Sequence, residues 1–215
     1  MGRTVPRTFT RLNDRAIVPA EPMRKEIVLD IETQNSFQDV GAYNPALLSI
    51  SVVGVYFYET DTYEAFFEQD LPKLWPRLER ADRIIGYNLL GFDYPCMQRY
   101  YTGDMSRLPT VDLLVDIEKK LGHRIKLDSV AEATLGVGKS GHGLMAVEYW
   151  KKGELEKLTE YCLQDVKVTK DVYEHALEYH EVFYFDRQNN KQRIDLPLEP
   201  PMAATRPAIN LSLGF

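Results

Sequence analysis

Four acidic positions carry most of the chemical information in this 215-residue sequence. Asp165 lies in a long stretch predicted to be helical from Glu154 to about His180, where Leu158, Cys162, Thr169, Val172, Tyr173 and Ala176 recur on one stripe. On the helical wheel Asp165 falls within that stripe, about 20° from Leu158. Glu156, Glu160, Lys167 and Glu174 take the opposite face, with Leu163 the one apolar exception. A carboxylate aimed at a core is costly to bury unless it is paired or bound to a metal. Tyr161, one turn earlier, shares its face. An aspartate satisfied by an arginine or by backbone donors would fit the same pattern. Asp30 and Glu32 end the β-branched run EIVLDIE (26–32), which reads as a buried strand. Alternation puts Val28, Asp30 and Glu32 on one face and Ile27, Leu29 and Ile31 on the other. Two carboxylates about 7 Å apart on one face repel each other unless a cation lies between them. The plain alternative is a pair of loop residues at a strand end. Asp93 closes the segment Asn88-Leu-Leu-Gly-Phe-Asp93 after the strand RIIGY. Capping of a helix that begins at Tyr94, with Pro95 in its first turn, also accounts for Asp93. For Asp112 and Asp128 the capping reading is preferred.

These residues must be brought together by elements distant in sequence. Residues 1–25 lack periodicity and contain Pro6, Pro19 and Pro22, which suggests an extended basic arm. Leu47–Tyr58 is predicted to be a strand, with Tyr63–Phe67 pairing to it across the turn Glu59–Thr62. Asp70 is expected to cap a helix with the stripe Leu71, Leu74, Trp75 and Leu78. Arg83–Tyr87 is a further strand, followed by a loop over Asn88–Phe92 and a helix to about Tyr100. Thr110–Leu113 is a short strand leading into a helix over Leu114–Leu121. Ser129 and Glu132 suggest a capping box for a helix ending at Gly136, before a loop with Gly136, Gly138, Gly141 and Gly143. Val182–Phe185 and Gln192–Leu196 read as a hairpin turning at Asn189–Asn190, and residues 197–215 as a tail. Three antiparallel strands followed by strand–helix alternation imply an α/β domain with a mixed sheet flanked by helices.

Asp30-Ile-Glu32-Thr33, then Gly86-Tyr-Asn88 with Phe92-Asp93, then Tyr161-Cys-Leu-Gln-Asp165 resemble, in order, the three motifs of the four-carboxylate (DEDD) 3′→5′ exonucleases. The wording is similar to the proofreading exonuclease domain of B-family DNA polymerases and to related stand-alone exonucleases. Tyr161, where another branch has histidine, places the resemblance in the tyrosine (DEDDy) branch. It spans roughly residues 26–180 and implies an RNase H-like fold with a mixed five-stranded sheet. It also implies that Asp30, Glu32, Asp93 and Asp165 bind two divalent cations, Mg²⁺ or Mn²⁺. Asp30, Glu32 and Asp165 would hold the cation that activates water, Asp30 would bridge to the second, and Asp93 would support that one directly or through water. Tyr161 would orient the attacking water, Phe92 would stack on or wedge against the terminal base, and Asn88 would touch sugar or phosphate. The expected domains are the arm (1–25), the exonuclease domain (26–187), and a hairpin strand with the C-terminal tail (188–215). No polymerase domain is expected after it, so proofreading within the same chain is not.

The net charge of −6 is unevenly placed. Residues 1–25 hold six basic and two acidic groups, a local +4, which leaves −10 on the remainder. An acidic body meets phosphate through bound cations rather than a basic groove. The arm would add non-specific attraction to a nucleic-acid backbone, or would simply be solvated. Cys96 and Cys162 are too few for a disulfide framework or a zinc cluster and are expected in the core of a protein of the reducing cytoplasm. His123, His142, His175 and His180 lack ligand spacing and are expected at the surface. Gly138-Lys139-Ser140 is not a nucleotide-binding loop, since Ala133 stands where the first glycine belongs and a helix precedes it. No nucleotide cofactor and no membrane association are expected. The expected partner is the 3′ end of a nucleic acid, with DNA favoured and RNA possible. The rivals are a 3′→5′ exoribonuclease and a non-catalytic RNase H-like binding module.

Overall fold

The structure is a computed structural model and describes residues 24–138 and 144–200. Most of the basic arm, residues 139–143 with Lys139 and His142, and the tail beyond Pro200 lie outside the described residues. Its elements in chain order are β1 (Glu26–Thr33), α1 (Phe37–Val40), β2 (Ile50–Phe57), β3 (Thr62–Phe67), α2 (Leu71–Leu78), β4 (Arg83–Gly86), α3 (Tyr94–Met97), β5 (Thr110–Asp112), α4 (Leu113–Leu121), α5 (Leu127–Leu135), α6 (Leu144–Lys152), α7 (Leu155–Tyr179), β6 (Glu181–Phe185) and β7 (Lys191–Asp195). Five strands form one sheet in the order β3-β2-β1-β4-β5, antiparallel from β3 to β1 and parallel from β1 to β5. β6 and β7 form a separate hairpin, with Asn189 at φ 63° in its turn.

β1 is the central strand, and both of its faces are covered. Ile27, Leu29 and Ile31 pack with Leu71, Leu74 and Leu78 of α2 and Cys96 and Met97 of α3. Val28, on the other face, joins Leu113, Ile117, Val130, Val172 and Tyr173 from α4, α5 and α7. Alternation therefore points Asp30 and Glu32 toward the side covered by α7. Burying a large apolar side chain contributes about 1.5–3 kcal/mol, and eight residues of α7 are buried. That stripe holds the helix, and Asp165 within it, against the sheet.

A third acid shares this face of β1. Glu26, 2% exposed, pairs with Arg24 and with Arg83 at 3.4 Å, and accepts a hydrogen bond from the Tyr173 hydroxyl at 3.1 Å. It is thus a neutralised structural carboxylate. Asp30 and Glu32 are surrounded differently.

Several local expectations need correction. Asp70 makes no capping bond; a 3-10 turn over Glu68–Asp70 leads into α2, and the Asp70 carboxylate pairs with Lys73. Ser129 does not start α5, which begins two residues earlier at Leu127. The Tyr87 hydroxyl anchors the preceding turn by donating to the Ile125 carbonyl at 2.7 Å, and Leu127 packs on the core. Asp128 consequently lies within the first turn of α5 rather than capping it. Asp112 does cap α4, accepting from the Leu114 and Val115 backbone N–H groups. His175 is half-buried, its ring 4.6 Å from that of Tyr179. α1 and α6 were not anticipated. Cys96 and Cys162 are buried. Among the described residues, no helix is long and apolar enough to cross a membrane.

Candidate metal centre

β1 delivers Asp30 and Glu32 next to one another, and α7 lays Asp165 over them. One carboxylate oxygen from each of the three lies within 4.8 Å of the others. The approach of α7 depends on Gly54 of β2, the register partner of Asp30. A Cβ there would stand 2.8 Å from the Cys162 Sγ and 3.0 Å from the Val166 Cγ2. At the other side of Glu32 the pairing of β1 with β2 slips: Glu32 faces Val52, but Thr33 faces Ile50. Irregularities of this kind re-aim strand side chains beside functional sites.

Asp93 arrives from a different element. After β4 the chain makes a π-helical turn over Leu89–Asp93. Asp112 holds its entrance, accepting from the Asn88 N–H at 2.8 Å and the Leu90 N–H at 2.9 Å. The alternative capping role for Asp93 is not observed, since its side chain makes no cap bond to α3. Instead it is 3% exposed and accepts the backbone N–H of Ile31. It stands outside the 4.8 Å triplet, yet its charge raises Asp30 more than that of Asp165 or Glu32.

The electrostatics are those of crowded, desolvated anions. Burial is the largest influence on Asp30 and Glu32 and pushes both carboxyls well above the usual range, with the neighbouring acids adding to it. Burial likewise pushes Asp93 up to about 7, opposed by its backbone hydrogen bonds. The Tyr161 phenol, half-buried on α7, is raised first by burial and then by Asp165, Glu32 and Asp30, which places it beside the cluster. An all-carboxylate donor set whose members repel each other fits a hard, oxygen-preferring divalent cation.

Asn88 begins the π-helical turn at φ 76°, and its side-chain oxygen accepts from Arg124. Phe92 is half-buried and meets the Phe37 ring edge-on at 6.1 Å. Phe37 in turn lies 4.3 Å from Tyr43, which is 89% exposed. Phe37 and Tyr43 escaped the reading of the sequence. The signal was the capping box of Ser36 and Asp39, which turns the chain immediately after Glu32.

The sequence model of the RNase_H superfamily matches residues 27–177. No curated protein matches the chain. A solved structure that it resembles is the family B DNA polymerase from the hyperthermophilic archaeon Pyrobaculum calidifontis, with a TM-score of 0.55 and 21% identity over 72% of this chain and 24% of the polymerase. That likeness is one of fold, and the chain spans under a quarter of the polymerase's length. The family match runs from β1 into α7 and takes in all four carboxylates; the chain belongs to the RNase_H superfamily.

Proposed function

We propose that the protein is a divalent-metal-dependent 3′→5′ exonuclease of the four-carboxylate, tyrosine type, removing nucleotides from the 3′ end of DNA, single-stranded for preference. The observation that carries this is the convergence of Asp30, Glu32 and Asp165 within 4.8 Å, with Asp93 buried beside them. In this reading the domain is 26–187, with the arm before it and the hairpin strand and tail after it. Asp30, Glu32 and Asp165 would hold one cation, and Asp30 would share in a second that Asp93 supports directly or through water. When bound, a pair of Mg²⁺ or Mn²⁺ ions supplies Lewis-acid stabilisation to the attacking and leaving oxygens of the phosphodiester.

The other groups position the reactants. Burial and the acids around it keep the Tyr161 phenol protonated at neutral pH, so it orients water by hydrogen bonding and does not act as a base. Phe92, backed by Phe37 and Tyr43, offers rings to the terminal base. Arg124 engages the Asn88 oxygen, which leaves the amide nitrogen to donate to sugar or phosphate.

The test is digestion of matched DNA and RNA oligonucleotides labelled at either end, with Mg²⁺ or with chelator. Stepwise shortening from the 3′ end of DNA is expected, lost on chelation and in Asp30→Asn. Loss from the 5′ end would overturn the polarity, and faster digestion of RNA would overturn the substrate. Hydrolysis unchanged in Asp30→Asn would remove the cluster from the reaction.

A further inference from the structure

A second concave site lies between the connection from α4 to α5 and the tip of the β6–β7 hairpin. It encloses about 480 Å³, and its lining includes His123, Arg124, Tyr184, Phe185, Asp186 and Arg187. Two arginines line this one cleft in a chain of net charge −6. Among the described residues, the acid in the lining makes no ion pair with either of them. Asp186 is turned into the hairpin, where it accepts from the Gln188 N–H at 2.9 Å, the Asn190 N–H at 2.8 Å and the Gln192 side chain at 2.9 Å. Those donors, the Asn190 N–H foremost, hold its carboxyl below the usual range. Among the described residues Arg187 is exposed and makes no ion pair. Arg124 pairs with Glu118 at 3.5 Å, through one end of its guanidinium. Tyr184 and Phe185 are half-buried, and the Tyr184 ring meets that of His123 at 6.4 Å. Guanidinium groups beside partly exposed rings suit single-stranded nucleic acid, whose phosphates meet the cations while its bases stack on the rings.

The cleft is also joined to the carboxylate site. Arg124 lines it and, with the same guanidinium, donates to Asn88, which opens the turn ending in Asp93. The hairpin lies beyond residue 177, outside the region matched by the superfamily. We infer that the cleft is a second nucleic-acid site, holding the substrate strand several nucleotides back from the 3′ end, with phosphates on Arg124 and Arg187 and a base against Tyr184 or Phe185. This rests on the exonuclease reading above.

The test compares Arg187→Glu and Arg187→Lys with the unaltered full chain on two substrates. One is fluorescein-labelled dT20, long enough to reach the cleft. The other is the p-nitrophenyl ester of thymidine 5′-monophosphate, which reaches only the carboxylates. At low salt, KM for dT20 should rise about tenfold in Arg187→Glu and stay near the unaltered value in Arg187→Lys. The slope of log affinity against log salt should fall by about one, as expected for one lost phosphate contact. Turnover of the ester should not change. An unchanged KM for dT20 in Arg187→Glu would overturn the inference, and so would an equal loss on the ester. If the unaltered protein hydrolyses neither substrate with Mg²⁺, the exonuclease reading fails by itself. The cleft is then decided by anisotropy of labelled dT20 in chelator, where equal binding by Arg187→Glu overturns it and a tenfold loss supports it.

Discussion

The spacing between α7 and the sheet is set at Gly54, and a single methyl group there should uncouple folding from catalysis. In Gly54→Ala the new carbon would stand 2.8 Å from the Cys162 Sγ and 3.0 Å from the Val166 Cγ2. Optimal contacts between such atoms lie at about 3.5–4.0 Å, so α7 must move outward by about 0.5–1 Å. Overpacking of this size costs about 1–3 kcal/mol, which a domain with both sheet faces covered should survive. The same displacement carries Asp165 away from Asp30 and Glu32, and a shift of about 1 Å can lower a rate about 100-fold. Gly54→Ala should therefore remain folded, with a lower urea midpoint, while exonuclease kcat/KM falls about 100-fold. Adding Cys162→Ala and Val166→Ala removes both clashing atoms, leaving the Cys162 carbonyl carbon at 3.4 Å as the nearest neighbour. This triple variant should be less stable than Gly54→Ala, since it loses buried side-chain atoms, yet recover most of the rate. The reasoning is refuted if Gly54→Ala keeps its rate within twofold, or if the triple variant is no more active than the single one.

The remaining predictions concern charge. Asp30, Glu32 and Asp93 have folded-state pKa values above their unfolded ones, so each favours the fold below its unfolded pKa and loses that contribution as pH rises through the folded value. For Asp93 the window runs from 3.8 to about 7; in chelator, chemical denaturation at pH 5 and pH 8 should show lower stability at pH 8, and Mg²⁺ should remove most of the difference. A metal-free stability that does not change over this range would contradict the crowding described for the cluster. Glu26→Ala should behave oppositely to Asp30→Asn: it strips a buried partner from Arg24 and Arg83 and should cost about 3–5 kcal/mol, while the folded fraction keeps its nuclease rate in active-site-normalised kinetics. Tyr161→Phe should lower kcat by about 10-fold to 100-fold with KM little changed, because only the orientation of water is lost; an equal rise in KM would assign the phenol to substrate binding instead.

Much of the arrangement can be read from local pattern, because the period of an apolar repeat encodes which way each side chain faces. The stripe of α7 from Leu158 to Ala176 is buried as its helical spacing requires, and alternation along β1 puts Ile27, Leu29 and Ile31 opposite Val28. Elements with little buried surface leave no such trace. α6 buries only Ala146 and Val147 and leaves Leu144 61% exposed, and α1 is four residues long with none buried. The start of α5 is not legible in its local sequence, because the turn before it is held by the Tyr87 hydroxyl, which lies far away along the chain.

The acids of β1 mark the division most clearly. Sequence alone determined that Glu26, Asp30 and Glu32 share one strand face and that Asp165 shares a helix face with the core. Acidity and periodicity are the same for all three, and in the sequence only the motif resemblance of Asp30-Ile-Glu32 sets Glu26 apart. The tertiary structure supplied the physical difference, by surrounding Glu26 with Arg24, Arg83 and Tyr173 and Asp30 with Asp93, Asp165 and Glu32. The physical reason is that a buried carboxylate takes its character from the charges within a few ångströms of it, and those come from parts of the chain that meet only when it folds.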